Sequence, residues 1–436
     1  MSFVQRRRFL WILFLAGLAL LAVAANATTL SRLRFEELAN QATAVARLRC
    51  IGVETFLENG EIWTETRFET VELNKGLLPG VVSVRMLGGR IGNLHSRIEG
   101  VPAFRPGEEA YVFLWGREGE PFRVLGWSQG TFRIARDPRT GLERVTQDSA
   151  AAPVFDPRTR QFWHGGIRNL PVAIFQLKLR KALQEKTPCI LWDRRAGKMK
   201  SNIKRICAST LALFYGAWFA PVAQAYSFDM IVPDVRQPAG ISGGSACPVR
   251  THRLTAAGSL AVRWSSALNT NPVTIMTQNQ TASGRLSEIE QAIAQALAVW
   301  TGVSGTTLVP ATVTPLTRTA TQNACGPDGM NSICFDQADM AFTPGVLAFT
   351  RVITTDRLGV RVGSSAVSTQ LGQILDADIY FNPSDSRTAF ATPQALAADP
   401  TAYDFESMLT HELGHFLGFS HSAVWSAIKI SSSRLE

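Results

Sequence analysis

The chain has 436 residues, 46% of them hydrophobic and 18% charged, which is enough for two or three domains that each bury a core. Its formal net charge is +9, from 44 Lys and Arg against 35 Asp and Glu. The basic residues are scattered or gathered beside apolar stretches, with no basic groove of interleaved aromatics, which argues against a nucleic-acid partner.

At the start, Arg6-Arg7-Arg8 precedes the apolar stretch Phe9 to Ala24, and Ala25-Asn26-Ala27 offers the small residues that a signal peptidase accepts. Residues 1–27 therefore read as an export signal. An N-terminal membrane anchor is the other reading, since the apolar core is close to spanning length. Leu33, Leu38 and Val45 then give helical spacing between Leu30 and Arg47. Beyond them, Glu61 to Leu73 alternates and is rich in Thr, Val and aromatics, Val81 to Leu87 reads as a strand, and Ala110 to Trp115 is a short apolar run. Turn pairs at Asn59-Gly60, Pro79-Gly80, Gly88-Gly89 and Pro106-Gly107 separate these strands. Residues 28–184 are thus expected to form an all-β barrel or sandwich, closed by a helix from Val172 to Gln184. Val71-Glu72-Leu73-Asn74-Lys75-Gly76, a following strand, and Pro106-Gly107-Glu108-Glu109-Ala110-Tyr111-Val112-Phe113 together resemble netrin-like OB barrels. That fold includes metalloproteinase inhibitors that set an N-terminal cysteine on zinc. The expected mature start here is Thr28, so the resemblance implies a secreted β-rich module and not inhibition.

Residues 185–225 read as a basic linker and a second signal-like or transmembrane segment. Lys198, Lys200, Lys204 and Arg205 precede Ile206 to Ala220, and Ala223-Gln224-Ala225 repeats the small-x-small pattern. Two exported proteins joined in one frame is the economical reading. Membrane contact is expected only if residues 207–225 are retained as an anchor.

The remaining residues, 226–436, open with a strand from Leu260 to Trp264. Ser287-Glu288-Ile289-Glu290 has the form of a capping box, and the helix after it places Ile289, Ile293, Leu297 and Trp300 on one core-facing side. Cys325 and Cys334 flank Gly326-Pro327-Asp328-Gly329, a spacing that suits a local disulfide in an exported chain. Cys50 and Cys247 are candidates to stay unpaired. Asp376 and Asp378 share one face of a strand, placed for calcium or, equally, for a hydrogen-bonding structural role. Asp404 is positioned to cap a helix that Phe405, Met408, Leu409, Leu413 and Phe416 would anchor.

On that helix lies His411-Glu412-Leu413-Gly414-His415-Phe416-Leu417-Gly418-Phe419-Ser420-His421, the pattern H-E-x-x-H-x-x-G-x-x-H. His411 and His415 stand one turn apart on one face, so both imidazoles can reach one metal. Glu412 beside them can take a proton from water at that metal. Gly418 tolerates the left-handed backbone that ends a helix, and the turn there can deliver His421 as a third ligand.

This motif resembles that of the metzincin metallopeptidases, nearest the matrixin-like branch. Gly345-Val346-Leu347-Ala348-Phe349-Thr350 and Asp376-Ala377-Asp378-Ile379-Tyr380-Phe381-Asn382 resemble the cleft-lining strands of that branch. The resemblance implies an α+β catalytic domain, Zn2+ held by His411, His415 and His421, Glu412 as general base, and a protein or peptide substrate. It offers a zinc-bound Cys325, the family's latency switch, as the rival to the local disulfide, and it implies a methionine turn after the third histidine. No methionine follows Met408, and the sequence ends fifteen residues after His421 (436 − 421), so the domain reads as C-terminally incomplete. The expected protein is therefore a multidomain, secreted or cell-envelope zinc endopeptidase. The alternative is an inactive metzincin-like domain joined to a secreted β-rich binding domain.

Overall fold

The computed structural model describes residues 30–116, 120–151, 154–156, 159, 161–163, 165–184, 227–228, 230–231, 260–264, 274–278, 286–301, 312–316, 325–335, 342–382 and 403–420. Both signal-like segments, His421 and the residues after it lie outside that set. Among the described residues, no helix is long and apolar enough to cross a membrane.

The N-terminal part is β-rich. A short helix α1 (Phe35–Gln41) leads into two fifteen-residue strands, β1 (Ala44–Glu58) and β2 (Glu61–Lys75), joined at Asn59-Gly60. They are followed by β3 (Val81–Leu87), β4 (Gly89–Ile91), β5 (Leu94–Ile98), β6 (Glu109–Trp115), β7 (Arg123–Val124), β8 (Thr131–Arg136) and β9 (Glu143–Gln147). The small strands β10 (Val154–Asp156) and β11 (Gln161–Trp163) pair with each other, and β12 (Leu170–Pro171) precedes helix α2 (Val172–Gln184). The first sheet has the order β12-β9-β8-β6-β1-β2-β3, with β7 on β6. Its neighbours are antiparallel throughout.

Both faces of this sheet are covered near its centre. Val45, Tyr111, Phe113, Phe132 and Val145 pack under α1 and α2 through Leu38, Phe175 and Leu179. On the opposite face Ala44, Ala46, Leu48, Phe68, Val82, Val84 and Val112 form a second core that also takes in Val346, Phe349 and Tyr380 from far along the chain. The helical spacing of Leu30 to Arg47 is thus realised only over α1. From Ala44 the chain is a strand, and because both its faces are apolar there it lacks the polar alternation that marks a half-exposed strand.

The later strands are β13 (Ser227–Phe228), β14 (Met230–Ile231), β15 (Leu260–Ala261), β16 (Thr274–Gln278), β17 (Thr312–Leu316), β18 (Asn331–Cys334), β19 (Ala348–Thr355), β20 (Gln373–Phe381) and β21 (Phe419–Ser420), with helices α3 (Leu286–Thr301) and α4 (Phe405–Phe416). The second sheet runs β17-β16-β18-β20-β19-β5-β4. Strands β17, β16, β18 and β20 are parallel, whereas β19 and then the β4–β5 hairpin add antiparallel. Residues 89–98 therefore leave the first sheet for the edge of the second. The crossing occurs at Gly88 and Gly89, with φ of 90° and 131°. A Cβ at Gly88 would lie 2.9 Å from the Ser96 carbonyl oxygen, so a side chain is unwelcome there on two counts.

Helices α3 and α4 pack together on one face of the second sheet, through Ala292, Ile293, Ala296 and Trp300 against Phe405, Met408, Leu409 and Leu413. Helix α3 starts at Leu286, so Ser287 falls inside the first turn and not at the cap. Cys325 and Cys334 form a disulfide with Cα atoms 6.3 Å apart, which removes Cys325 as a metal ligand. Cys50 is a buried free thiol.

Asp376 and Asp378 serve structure. Asp376 accepts from the Gly329 N–H (2.7 Å), and Asp378 accepts from the N–H groups of Gly326 (3.2 Å) and Ser332 (2.8 Å), pinning the disulfide loop to β20. The buried Arg351 guanidinium pairs with both, at 3.5 Å to Asp376, and with Glu61 from β2. Burial pushes the Asp378 carboxyl well above the usual range, reinforced by the charge of Asp376. Burial also raises Asp376, to about 6, against the pull of Arg351.

Between about pH 3.8 and about 6 the native state keeps a proton on Asp376 that the unfolded chain has released. The stability tied to this proton is full below the unfolded value and is lost as pH rises through the folded one. The urea midpoint is expected to show this fall between about pH 4 and 6, and Asp376→Asn is expected to make it shallower, the raised Asp378 carboxyl keeping the remainder.

Candidate metal centre

The site is built on α4. Asp404 occupies the N-cap position, as its place in the sequence predicts, but its carboxylate accepts the Ser407 hydroxyl and makes no side-chain bond to a helix N–H. The helix ends at Phe416, with Leu417 N–H donating to Leu413 O (3.0 Å) and Gly418 N–H to His415 O (2.9 Å). Gly418 has φ of 92°, and a Cβ on it would lie 2.6 Å from the Val262 carbonyl oxygen. Glycine is required there sterically as well as conformationally. Gly418→Ala is expected to cost at least about 1–2 kcal/mol, read as a lowered urea midpoint.

Two tryptophans hold this helix by its carbonyls. Trp300 Nε1–H on α3 donates to Thr410 O (2.7 Å), and Trp264 Nε1–H donates to Phe416 O (2.8 Å), one of the terminal acceptors a helix leaves over. Trp300 also stacks on Phe419 with ring centres 5.5 Å apart. A Cβ on Gly414 would lie 2.9 Å from the Trp300 ring, so the small residue within the motif lets α3 approach.

His411, Glu412 and His415 come together as the spacing predicts. All three are buried, Glu412 completely, and one ligand atom from each lies within 4.8 Å of the others. The two histidine Nε2 atoms are 3.1 Å apart, on rings set nearly edge to face. Two nitrogens bound at zinc distance to one tetrahedral ion lie about 3.3 Å apart, so the spacing is compatible with a zinc ion as well as with an N–H···N hydrogen bond between the rings. His415 Nδ1 lies 2.7 Å from the Phe419 carbonyl oxygen. A carbonyl only accepts, so Nδ1 donates to it and Nε2 is the ring nitrogen turned toward His411. No other group of three or more such residues capable of holding a metal occurs among the described residues. Asp376 and Asp378, engaged by Arg351 and backbone N–H groups, are not placed as a calcium site.

Two contributors escape sequence reading. Thr350 Oγ1 on β19 lies 2.7 Å from Glu412 Oε2 and 2.9 Å from its backbone oxygen, so the hydroxyl donates to Glu412 and fixes its carboxylate. Thr350 stands in the segment read as cleft-lining, but nothing in its local sequence announces the bond. The Phe419 carbonyl is the other, a backbone role that side-chain identity does not encode. The last two residues before His421 form β21, which pairs antiparallel with β13. No family model matches the chain, and no curated protein or solved structure matches it either.

Proposed function

We propose that this chain is a zinc-dependent metalloendopeptidase. The observation that carries the reading is the 3.1 Å separation of the His411 and His415 Nε2 atoms on one turn of α4, with the buried Glu412 carboxylate beside them. His411 and His415 would hold zinc together with His421, which the motif supplies beyond the described residues. Zinc held there would supply Lewis-acid chemistry to the scissile carbonyl and to a water molecule. Glu412, oriented by Thr350, takes the proton of the attacking water and passes it to the departing amine. The α3–α4 pair packed on a mixed sheet, in which β17, β16, β18 and β20 are parallel, supports the matrixin-like α+β assignment for residues 226–436. The signal-like segments support a secreted or cell-envelope location, with membrane anchoring if residues 207–225 remain.

The test is zinc stoichiometry and casein cleavage by the purified mature chain. One zinc per chain is expected, with cleavage lost to a chelator and restored by zinc. His411→Ala and His415→Ala should each lose the metal. A chain that binds no zinc, or that cleaves equally well after chelation, would sink the reading.

A further inference from the structure

The sheet edge beside the site is already occupied. Strand β19 pairs with β20 on one side, and its other side would offer a row of N–H and C=O groups to an incoming extended polypeptide, the ordinary mode of strand addition. That side is taken by β5, with Ile98, Arg97, Ser96, His95 and Leu94 opposite Arg351, Val352, Ile353, Thr354 and Thr355. Thr350, which holds Glu412, is the neighbour of the last paired position. The cover continues past it. Trp127 lies against Phe349 with ring centres 5.5 Å apart, Leu30 bridges antiparallel to Val346, and Ser31 N–H donates to Gly345 O at 2.8 Å.

We propose that the hairpin Gly89–Ile98 is a built-in blocking strand, which must leave β19 before an extended polypeptide can pair along this edge. The proposal rests on the peptidase reading for its consequence, substrate access, but not for its geometry. The hairpin suits the role. Its outer strand β4 has only three residues, and Gly88 and Gly89 join it to the first sheet at positive φ. Arg90 ties it to Asp356, just beyond β19, at 2.8 Å. A peptide replacing β5 exchanges one ladder for another, so it gains little net hydrogen bonding. Its apparent affinity falls in proportion to the fraction of chains whose edge is open.

The test uses the full mature chain carrying His95→Cys and Thr354→Cys, positions directly opposite in the register. Oxidation is expected to clamp the hairpin, and the metal-free reduced form is expected to bind a labelled, unstructured casein peptide at least about tenfold more tightly than the clamped form. Equal binding by the two forms, or binding by neither, overturns the proposal. Amide exchange in the unsubstituted chain gives a second reading that does not depend on the clamp. Saturating peptide should speed exchange at residues 94–98 while 351–355 stay protected, and unchanged exchange at 94–98 also overturns it. Binding is read without metal, so a zinc-loaded chain that binds the peptide and leaves it uncut counts against the peptidase reading alone.

Discussion

Glu412→Gln is expected to lower casein cleavage by about 10²–10⁴-fold, the usual worth of a positioned general base, while zinc content stays unchanged. The carboxamide has the shape of the carboxylate and keeps an oxygen for the Thr350 hydroxyl, which lies 2.7 Å from Oε2. What it loses is the capacity to take a proton. Glutamine is the informative replacement because Glu412 is fully buried. Alanine would open a void and strip Thr350 of its acceptor, mixing a folding defect into the rate. The comparison is made on kcat/KM with zinc measured on the same samples. Equal cleavage by the variant and the parent chain would remove Glu412 from the chemistry.

Arg351→Met is expected to cost about 3–5 kcal/mol in stability. Methionine keeps the apolar stem of the side chain but leaves the buried carboxylates of Asp376 and Asp378 without their cation. Those carboxylates also hold the N–H groups of Gly326, Gly329 and Ser332, so the disulfide loop should loosen together with β20. Glu61, on β2 in the first sheet, loses its partner as well. Urea denaturation reads the loss. The double variant Arg351→Met, Asp376→Asn should be less destabilised than the sum of the single changes, because neutralising one carboxylate relieves part of what the missing guanidinium leaves. Additive costs would show that Arg351 acts through packing alone.

Much of the site was legible because its chemistry is local. His411, Glu412 and His415 are brought together by one helical turn, and Gly418 announces its left-handed conformation by being glycine. The Cys325–Cys334 pair, the helix Val172–Gln184 and the strand Val81–Leu87 follow from the same short-range rules. Thr350 and the Phe419 carbonyl depend on tertiary placement, so their roles are not written in their neighbours. Asp376 and Asp378 could be placed on one strand face, but the cation that engages them comes from β19, and its second partner Glu61 comes from β2. The departure of residues 89–98 to a different sheet from β3 is likewise a long-range pairing. Only the glycines at the crossing hint at it.

That pairing has a consequence for the order of folding. Ile98 meets Arg351 across 253 positions of sequence (351 − 98), whereas the first sheet draws its strands from residues 44–171. Pairings so distant close large loops and form slowly, while nearer ones can form as the chain is synthesised. The first sheet can therefore be assembled, with its hairpin projecting, before β19 leaves the ribosome. When β19 does emerge, its partner is waiting, and the time it spends as a bare edge able to stick to other nascent chains is shortened.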